Sequence, residues 1–203
     1  FSAAKAIMTT DTYPKTHSEK IIGNENFVIN GIAKGSGMIA PNMATMLAFI
    51  FTNFKIKKSL FPQFKEIVHR TFNSITIDGD TSTSDMVLLF SLNEKKENYK
   101  ISNLKKFLQS LENLMNKLSE LIVKDGEGAS KFITINIRGS KNQRDAKKIG
   151  ESIANSPLFK TAMAGSDANW GRVIMAIGKS EATIDPLKIS LKFGRYFILK
   201  NGK

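Results

Sequence analysis

The sequence predicts an α/β or mixed α+β fold, with mixed sheets packed against helices. Three observations carry that expectation. Short runs rich in β-branched and aromatic residues, such as NFVINGI at 26–32 and KFITINI at 131–137, have the composition of strands. The stretch 103–123 repeats its apolar residues at three- and four-residue steps, the period of a helix. Segments of the two kinds alternate along the chain, separated by turns rich in Gly, Asp and Asn.

Taken in order, 26–32 reads as a short strand, and the loop 35–42 leads into an apolar run at 46–54. Residues 58–72 place Leu60, Phe64, Ile67, Val68 and Phe72 on one helical face. SITI at 74–77 is a short strand stopped by Asp78, Gly79 and Asp80. TSTSD at 81–85 is rich in N-cap residues and predicts a helix beginning at MVLLFSL. A charged connector at 94–100 precedes the main helix, whose apolar face holds Leu104, Phe107, Leu108, Leu111, Met115, Leu118 and Ile122. KDGEGAS at 124–130 is a turn feeding the strand 131–137. A basic helix at 143–154 follows, closed by Pro157. Residues 173–177 are apolar enough for a buried strand, and 189–199 reads as a hairpin bent at Gly194.

Composition narrows the chemistry. With 203 residues there is room for one domain or two small ones. Apolar residues make up 41% and charged residues 24%, ordinary for a globular protein. No run approaches the roughly 18 apolar residues of a membrane span. The chain lacks a Met at position 1 and a signal-peptide pattern, and it ends on a strand entering a turn. Both ends read as cut, and the expected location is the cytoplasm. The absence of cysteine excludes disulfides, thiolate metal sites and a Cys nucleophile. His17 and His69 have no partners at metal-ligand spacing, which argues against zinc and against a Ser-His-Asp triad. The net charge of +12 comes mostly from lysines that are scattered, while arginine, favoured for bidentate phosphate contacts, is scarce. That pattern argues against nucleic acid as a partner.

Three segments stand out from ordinary connectors: 35–42, 78–85 and GSDANWGR at 165–172. Each reads as a tight turn, since Gly and Asn tolerate positive φ and Asp caps helices. The acidic stretch 78–85 lacks the spacing and terminal Glu of a calcium loop, so capping is the better reading. Trp170 reads as a packing anchor. Lys34 and Glu127 sit among glycines and small residues, where backbone approaches a ligand closely; a solvated loop charge is the alternative. Thr45 follows Ala44 at the mouth of an apolar run. It is either a β-branched strand start or the point at which the chain cuts itself. In the second case its hydroxyl attacks the preceding carbonyl and passes through an ester. The freed α-amine, with a reference pKa of about 7.7–8.0, then serves as its base.

KGSGMIAPNMATMLAF, FNSITIDGDTSTSD, KDGEGASKF, IANSPLFKTAMAG and GSDANWGRVIMAIGKS together resemble the ornithine acetyltransferase (glutamate N-acetyltransferase) family of the cyclic arginine-biosynthesis route. IMTTDTYPK at 7–15 fits the same pattern, so the resemblance spans nearly the whole chain. It implies the fold shared with certain self-cleaving aminopeptidases. It also implies cleavage after Ala44, leaving 1–44 as the end of an α chain and 45–203 as part of a β chain, joined as an α2β2 heterotetramer. Thr45 would be the nucleophile, taking acetyl from N-acetylornithine and passing it to glutamate, with acetyl-CoA as a possible second donor and no bound cofactor. Lys34 would meet a substrate carboxylate, Glu127 a substrate amino group, and either Thr9 or Thr10 a further substrate atom. The family's oxyanion-hole Thr-Gly pair would precede Phe1, and its C-terminal Asn and Ser/Thr ligands would follow Lys203, so this stretch is expected to hold only part of the site. The competing enzyme reading is a hydrolase with an N-terminal nucleophile, in which water replaces glutamate.

Overall fold

Alternating apolar residues build a four-stranded sheet in the computed structural model, which describes residues 1–22, 26–39, 46–81, 84–92 and 101–203, with side chains from residue 103 in the last stretch. The strands are β1 (Lys15–Ile21), β2 (Phe27–Lys34), β3 (Leu47–Thr52) and β4 (Met86–Ser91), in that spatial order. β1, β2 and β3 are antiparallel neighbours, and β4 lies parallel to β3. A parallel step requires a crossover, and the chain between β3 and β4 holds helix α2 (Phe61–Arg70). A short helix α1 (Ser2–Ala6) precedes the sheet.

Period-two alternation sends Phe27, Ile29 and Ala33 of β2, and Ala48, Ile50 and Thr52 of β3, into the interior. The long helix α3 (Ile101–Lys124) presents Phe107, Leu111, Leu114, Met115, Leu118 and Ile122 to the same core. Gly31 lets α3 come close, because a Cβ there would stand 2.7 Å from a Leu118 methyl carbon. Phe54 fills the end of the core, stacked on Phe107 at 4.1 Å and edge-on to Phe27 at 4.8 Å. Truncating such a ring to alanine costs about 3–5 kcal/mol.

The chain divides into two units, Phe1–Ala129 and Ser130–Lys203. The second holds α4 (Gln143–Ala154), α5 (Pro157–Ala164), α6 (Trp170–Gly178) and a hairpin of β5 (Leu191–Phe193) and β6 (Tyr196–Leu199). Its core is Ile153, Phe159, Val173, Ala176 and Ile177. Asn142, Ser156 and Asn169 cap the three helices through their side-chain oxygens.

The mixed helix-and-sheet class agrees with the sequence, as do the helices α2, α3 and α4 and the bend at Gly194. Several elements differ. MVLLFSL is strand β4, not a helix: parallel pairing with β3 and the stacking of Phe90 on Phe51 at 5.0 Å outweigh the cap-like residues before it. Residues 72–74 form a 3₁₀ turn where SITI predicted a strand beginning at 74, and Ile77 N–H ties to the Ile39 carbonyl at 2.7 Å. Among the described residues the segment 131–137 pairs with no strand, and it packs Ile135 and Ile137 against the second core instead. Residues 173–177 lie in α6, where Val173, Ala176 and Ile177 are buried at helical spacing; a short apolar run alone does not separate the two periods. Pro157 opens α5 at its first position, which needs no N–H donor, besides ending α4. Trp170 is about half exposed, so it is not a packing anchor. The connector 94–100 lies outside the described residues. β1 was not foreseen, its polar alternation having hidden it.

Candidate active site

Lys34 ends β2, and its side chain is nearly buried, with 6% of the residue's surface exposed. Its Nζ donates to Thr9 Oγ1 at 3.1 Å. Two residues on, Ser36 is buried and its hydroxyl lies 2.6 Å from that of Thr10. The turn after α3 reaches the same place: Glu127 N–H donates to the Ser36 carbonyl at 2.7 Å. Gly37 makes room for the Glu127 carboxylate, since a Cβ there would lie 3.0 Å from its carboxyl carbon. Thr9, Thr10, Lys34 and Glu127, from three separate stretches of chain, therefore converge on residues 34–37. The cation is buried and the Glu127 carboxylate exposed. Thr9 and Thr10 part company here, because Thr9 shares the ammonium of Lys34 while Thr10 is bonded to Ser36.

Beneath these groups lies a buried ion triad that no sequence signal announced. Lys15 is fully buried, and its Nζ donates to Asp11 Oδ1 and to Asp125 Oδ2, each at 2.5 Å. Asp11 also accepts from Gly35 N–H at 2.7 Å and Thr9 N–H at 3.2 Å. Asp125 accepts from the Thr12 N–H at 2.9 Å and from the Thr12 hydroxyl. Burial pushes both carboxyls up, but for Asp11 the Gly35 amide, Lys15 and the Thr9 amide outweigh it and hold the acid below its ordinary range. For Asp125 the balance is the same, with Lys15 and Thr12 overcoming burial. Buried charges persist only when paired and hydrogen-bonded in this way. The triad's acids stand one or two residues from Thr9, Thr10 and Glu127, and Asp11 holds the N–H of Gly35, the residue after Lys34, so the triad helps set where all four stand.

Ala44 and Thr45 lie outside the described residues. The chain resumes at Met46, whose N–H donates to Asp85 Oδ1 at 2.5 Å. Burial raises the Asp85 carboxyl to about 6, although the Met46 amide and the charge of Lys34 pull it down. Asp85 was expected to cap a helix; here it holds the residue next to Thr45. Its burial among TSTSD could not be read from cap statistics. The segment 165–172 belongs to the second unit, where Asn169 caps α6. A groove of about 610 Å³ between α2 and α3 has no residue in common with the cluster, and its Arg70 pairs with Glu66 and Glu112.

A buried ammonium with a hydroxyl beside it, and an exposed carboxylate drawn to the same short segment, are groups suited to the two ends of a small zwitterion. A family model described as the ArgJ family matches residues 1–203. The "Arginine biosynthesis bifunctional protein ArgJ" of Bradyrhizobium diazoefficiens is 48% identical over 210 residues, which is 99% of this chain and 51% of that protein. The protein of the same description from Agrobacterium fabrum is 46% identical over 210 residues, again 99% of this chain and 51% of its own length. A crystal structure described as arginine biosynthesis bifunctional protein argJ from Bacillus halodurans matches with a TM-score of 0.73 at 37% identity, over 78% of this chain and 76% of that one. The chain spans about half the length of the curated relatives it matches.

Proposed function

The chain belongs to the ArgJ family, and from that premise we propose that it carries the nucleophile and part of the substrate site of an autoproteolytic acetyltransferase of arginine biosynthesis. The observation that carries this reading is the convergence of Lys34, Thr9 and Glu127 on the segment that runs toward Thr45.

Chain cleavage comes first. The Thr45 hydroxyl oxygen attacks the Ala44 carbonyl carbon, the bond from that carbon to the Thr45 nitrogen breaks, and the hydroxyl proton passes to the nitrogen. Water then hydrolyses the resulting ester, leaving an Ala44 carboxylate and a free Thr45 hydroxyl and amine. In turnover the amine takes the hydroxyl proton while the oxygen attacks the acetyl carbon of N-acetylornithine. The acetyl–nitrogen bond breaks, and ornithine leaves with that proton on its amine. Glutamate's amine attacks the acetyl-Thr45 ester and returns a proton to the threonine oxygen, giving N-acetylglutamate. Acetyl-CoA as a second donor, work in the cytoplasm without a bound cofactor, and an α2β2 assembly belong to the same reading. What supports continued association of the two pieces is the ladder between β2 and β3, which lie on opposite sides of the cut.

Trapping the intermediate tests this. Full-length protein incubated with N-acetylornithine and no glutamate should carry one acetyl mass on the peptide beginning at Thr45. An acetyl mass on another residue, or release of acetate with no N-acetylglutamate when glutamate is present, would sink the transferase and favour the hydrolase.

Lys34→Ala and Glu127→Ala are expected to leave cleavage intact and lower kcat/KM. A lost charge-assisted contact is worth roughly 2–4 kcal/mol, on the order of 30- to 1000-fold. Steady-state kinetics at wild-type values in both variants would make them bystander charges.

A further inference from the structure

We propose that Asp78 and Asp85 are positioning residues that clamp the two ends of the segment containing the Ala44–Thr45 bond. The inference rests on the cleavage reading above and deepens it.

On the upstream side, Asp78 accepts from the Met38 N–H and, at 3.1 Å, from the Ile39 N–H. The Ile39 carbonyl is bonded in turn by Ile77 N–H at 2.7 Å and the Thr76 hydroxyl at 3.2 Å. Both peptide groups of Ile39 are thus tied to residues 76–78. On the downstream side, Met46 is held in the same fashion: its N–H goes to Asp85 and its carbonyl accepts from Met86 N–H at 3.0 Å. The two clamps are the two ends of one stretch, 78–85, the segment whose acids read as turn and cap residues in the sequence.

Met38 has a φ of 54°, left-handed backbone that a residue with a side chain seldom adopts. Carboxylates make shorter and stronger bonds to N–H groups than neutral acceptors do, so Asp78 is suited to hold such a turn. Self-cleavage needs a hydroxyl oxygen and the carbonyl just before it in near-attack geometry. Each end left loose multiplies the conformations in which they miss, and a misplacement of about 1 Å costs on the order of 100-fold in rate. Asp78 and Asp85 touch no reacting atom; they act through Ile39 and through Met46, which is bonded directly to Thr45.

The test follows cleavage of freshly synthesised full-length protein by intact-mass spectrometry over time. Asp78→Ala and Asp85→Ala should each slow cutting at Ala44–Thr45 by on the order of 100-fold. Asp85→Asn keeps one oxygen for the Met46 N–H, the one it takes among the described residues, and should restore most of the rate. Asp78→Asn offers one amide oxygen where two carboxylate oxygens took the N–H groups of Met38, Ile39 and Asp80, and should restore less. That asymmetry is not expected of residues that merely stabilise the fold, and far-UV circular dichroism of each variant separates the two effects. If an alanine variant does not fold, the two asparagine variants still decide the matter. Cutting at the wild-type rate in Asp85→Ala and Asp78→Ala, or equal behaviour of the two asparagine variants, would overturn the clamp and leave the cleavage reading standing. A wild-type protein that is never cut at this bond overturns both.

Discussion

Thr45→Ala is expected to give a single uncut chain with acetyl transfer at background. One hydroxyl is asked to open the peptide bond and then to carry the acetyl group, so its removal stops both reactions at once. Loss of a covalent nucleophile typically lowers kcat by up to about 10⁶-fold, with a residue of activity left from substrate binding. Thr45→Ser keeps the oxygen but loses the methyl that restricts χ1, and it should cut and turn over more slowly without stopping. Intact-mass measurement and an N-acetylglutamate assay on the same preparations check both points. A Thr45→Ala protein that still makes N-acetylglutamate would show the acetyl group to travel by another route.

Lys15→Met should be the most damaging substitution that touches no substrate. It leaves the buried carboxylates of Asp11 and Asp125 without their shared cation, with amide and hydroxyl donors as their remaining partners among the described residues. Removing one partner of a buried ion pair costs about 3–5 kcal/mol. For a chain of this size that corresponds to a fall of roughly 6–20 °C in Tm. The pH dependence gives the effect its signature. In the wild type both acids are held below their ordinary pKa, so their contribution is present at neutral pH and is lost as pH falls through those lowered values. In Lys15→Met the like charges push one acid above its unfolded value, so the folded state gains protons and recovers stability as pH drops from 7 toward 5. Asp85, raised to about 6, titrates in this range in both proteins, so the test is the difference between their melts: the variant should gain on wild type as pH falls from 7 toward 5. A melt within a degree or two of wild type at pH 7 would show the triad to be energetically neutral.

What the sequence made legible follows the range of the interactions involved. The face of α3 was readable because seven apolar residues repeat at helical spacing over several turns. Lys34 and Glu127 were readable because glycines flank them. β4 and α6 were misread because runs of five to seven apolar residues fit either period, and only the neighbour decides: β3 for the one, the second core for the other. The triad left no trace at all. Asp11, Lys15 and Asp125 look like ordinary surface charges in a Lys-rich chain, and the pairing spans more than a hundred positions. Asp78 makes the local turn bond its residue type suggested, to Asp80 N–H at 3.0 Å, and holds Met38 and Ile39 besides; Asp85 was given the wrong partner, since a cap and a long-range amide acceptor use the same carboxylate.

The ladder joining β2 to β3 has a consequence for the order of events in the cell. If the chain is cut at Ala44–Thr45 as proposed, the two strands are tethered by a short connection only beforehand, when closing such a loop takes on the order of 10–100 ns. After the cut the same ladder joins two molecules. Pairing then depends on how often two separate polypeptides meet, at cellular concentrations far below the roughly millimolar local concentration a short tether provides. On the cleavage proposed above, the sheet would have to be complete before the bond is broken, and cutting that waits for the folded geometry would ensure this. A cut protein that is fully unfolded starts from a second-order reaction its precursor never faced. A protein processed in this way would be held by the history of its making, and its persistence would be a matter of unfolding rate more than of equilibrium.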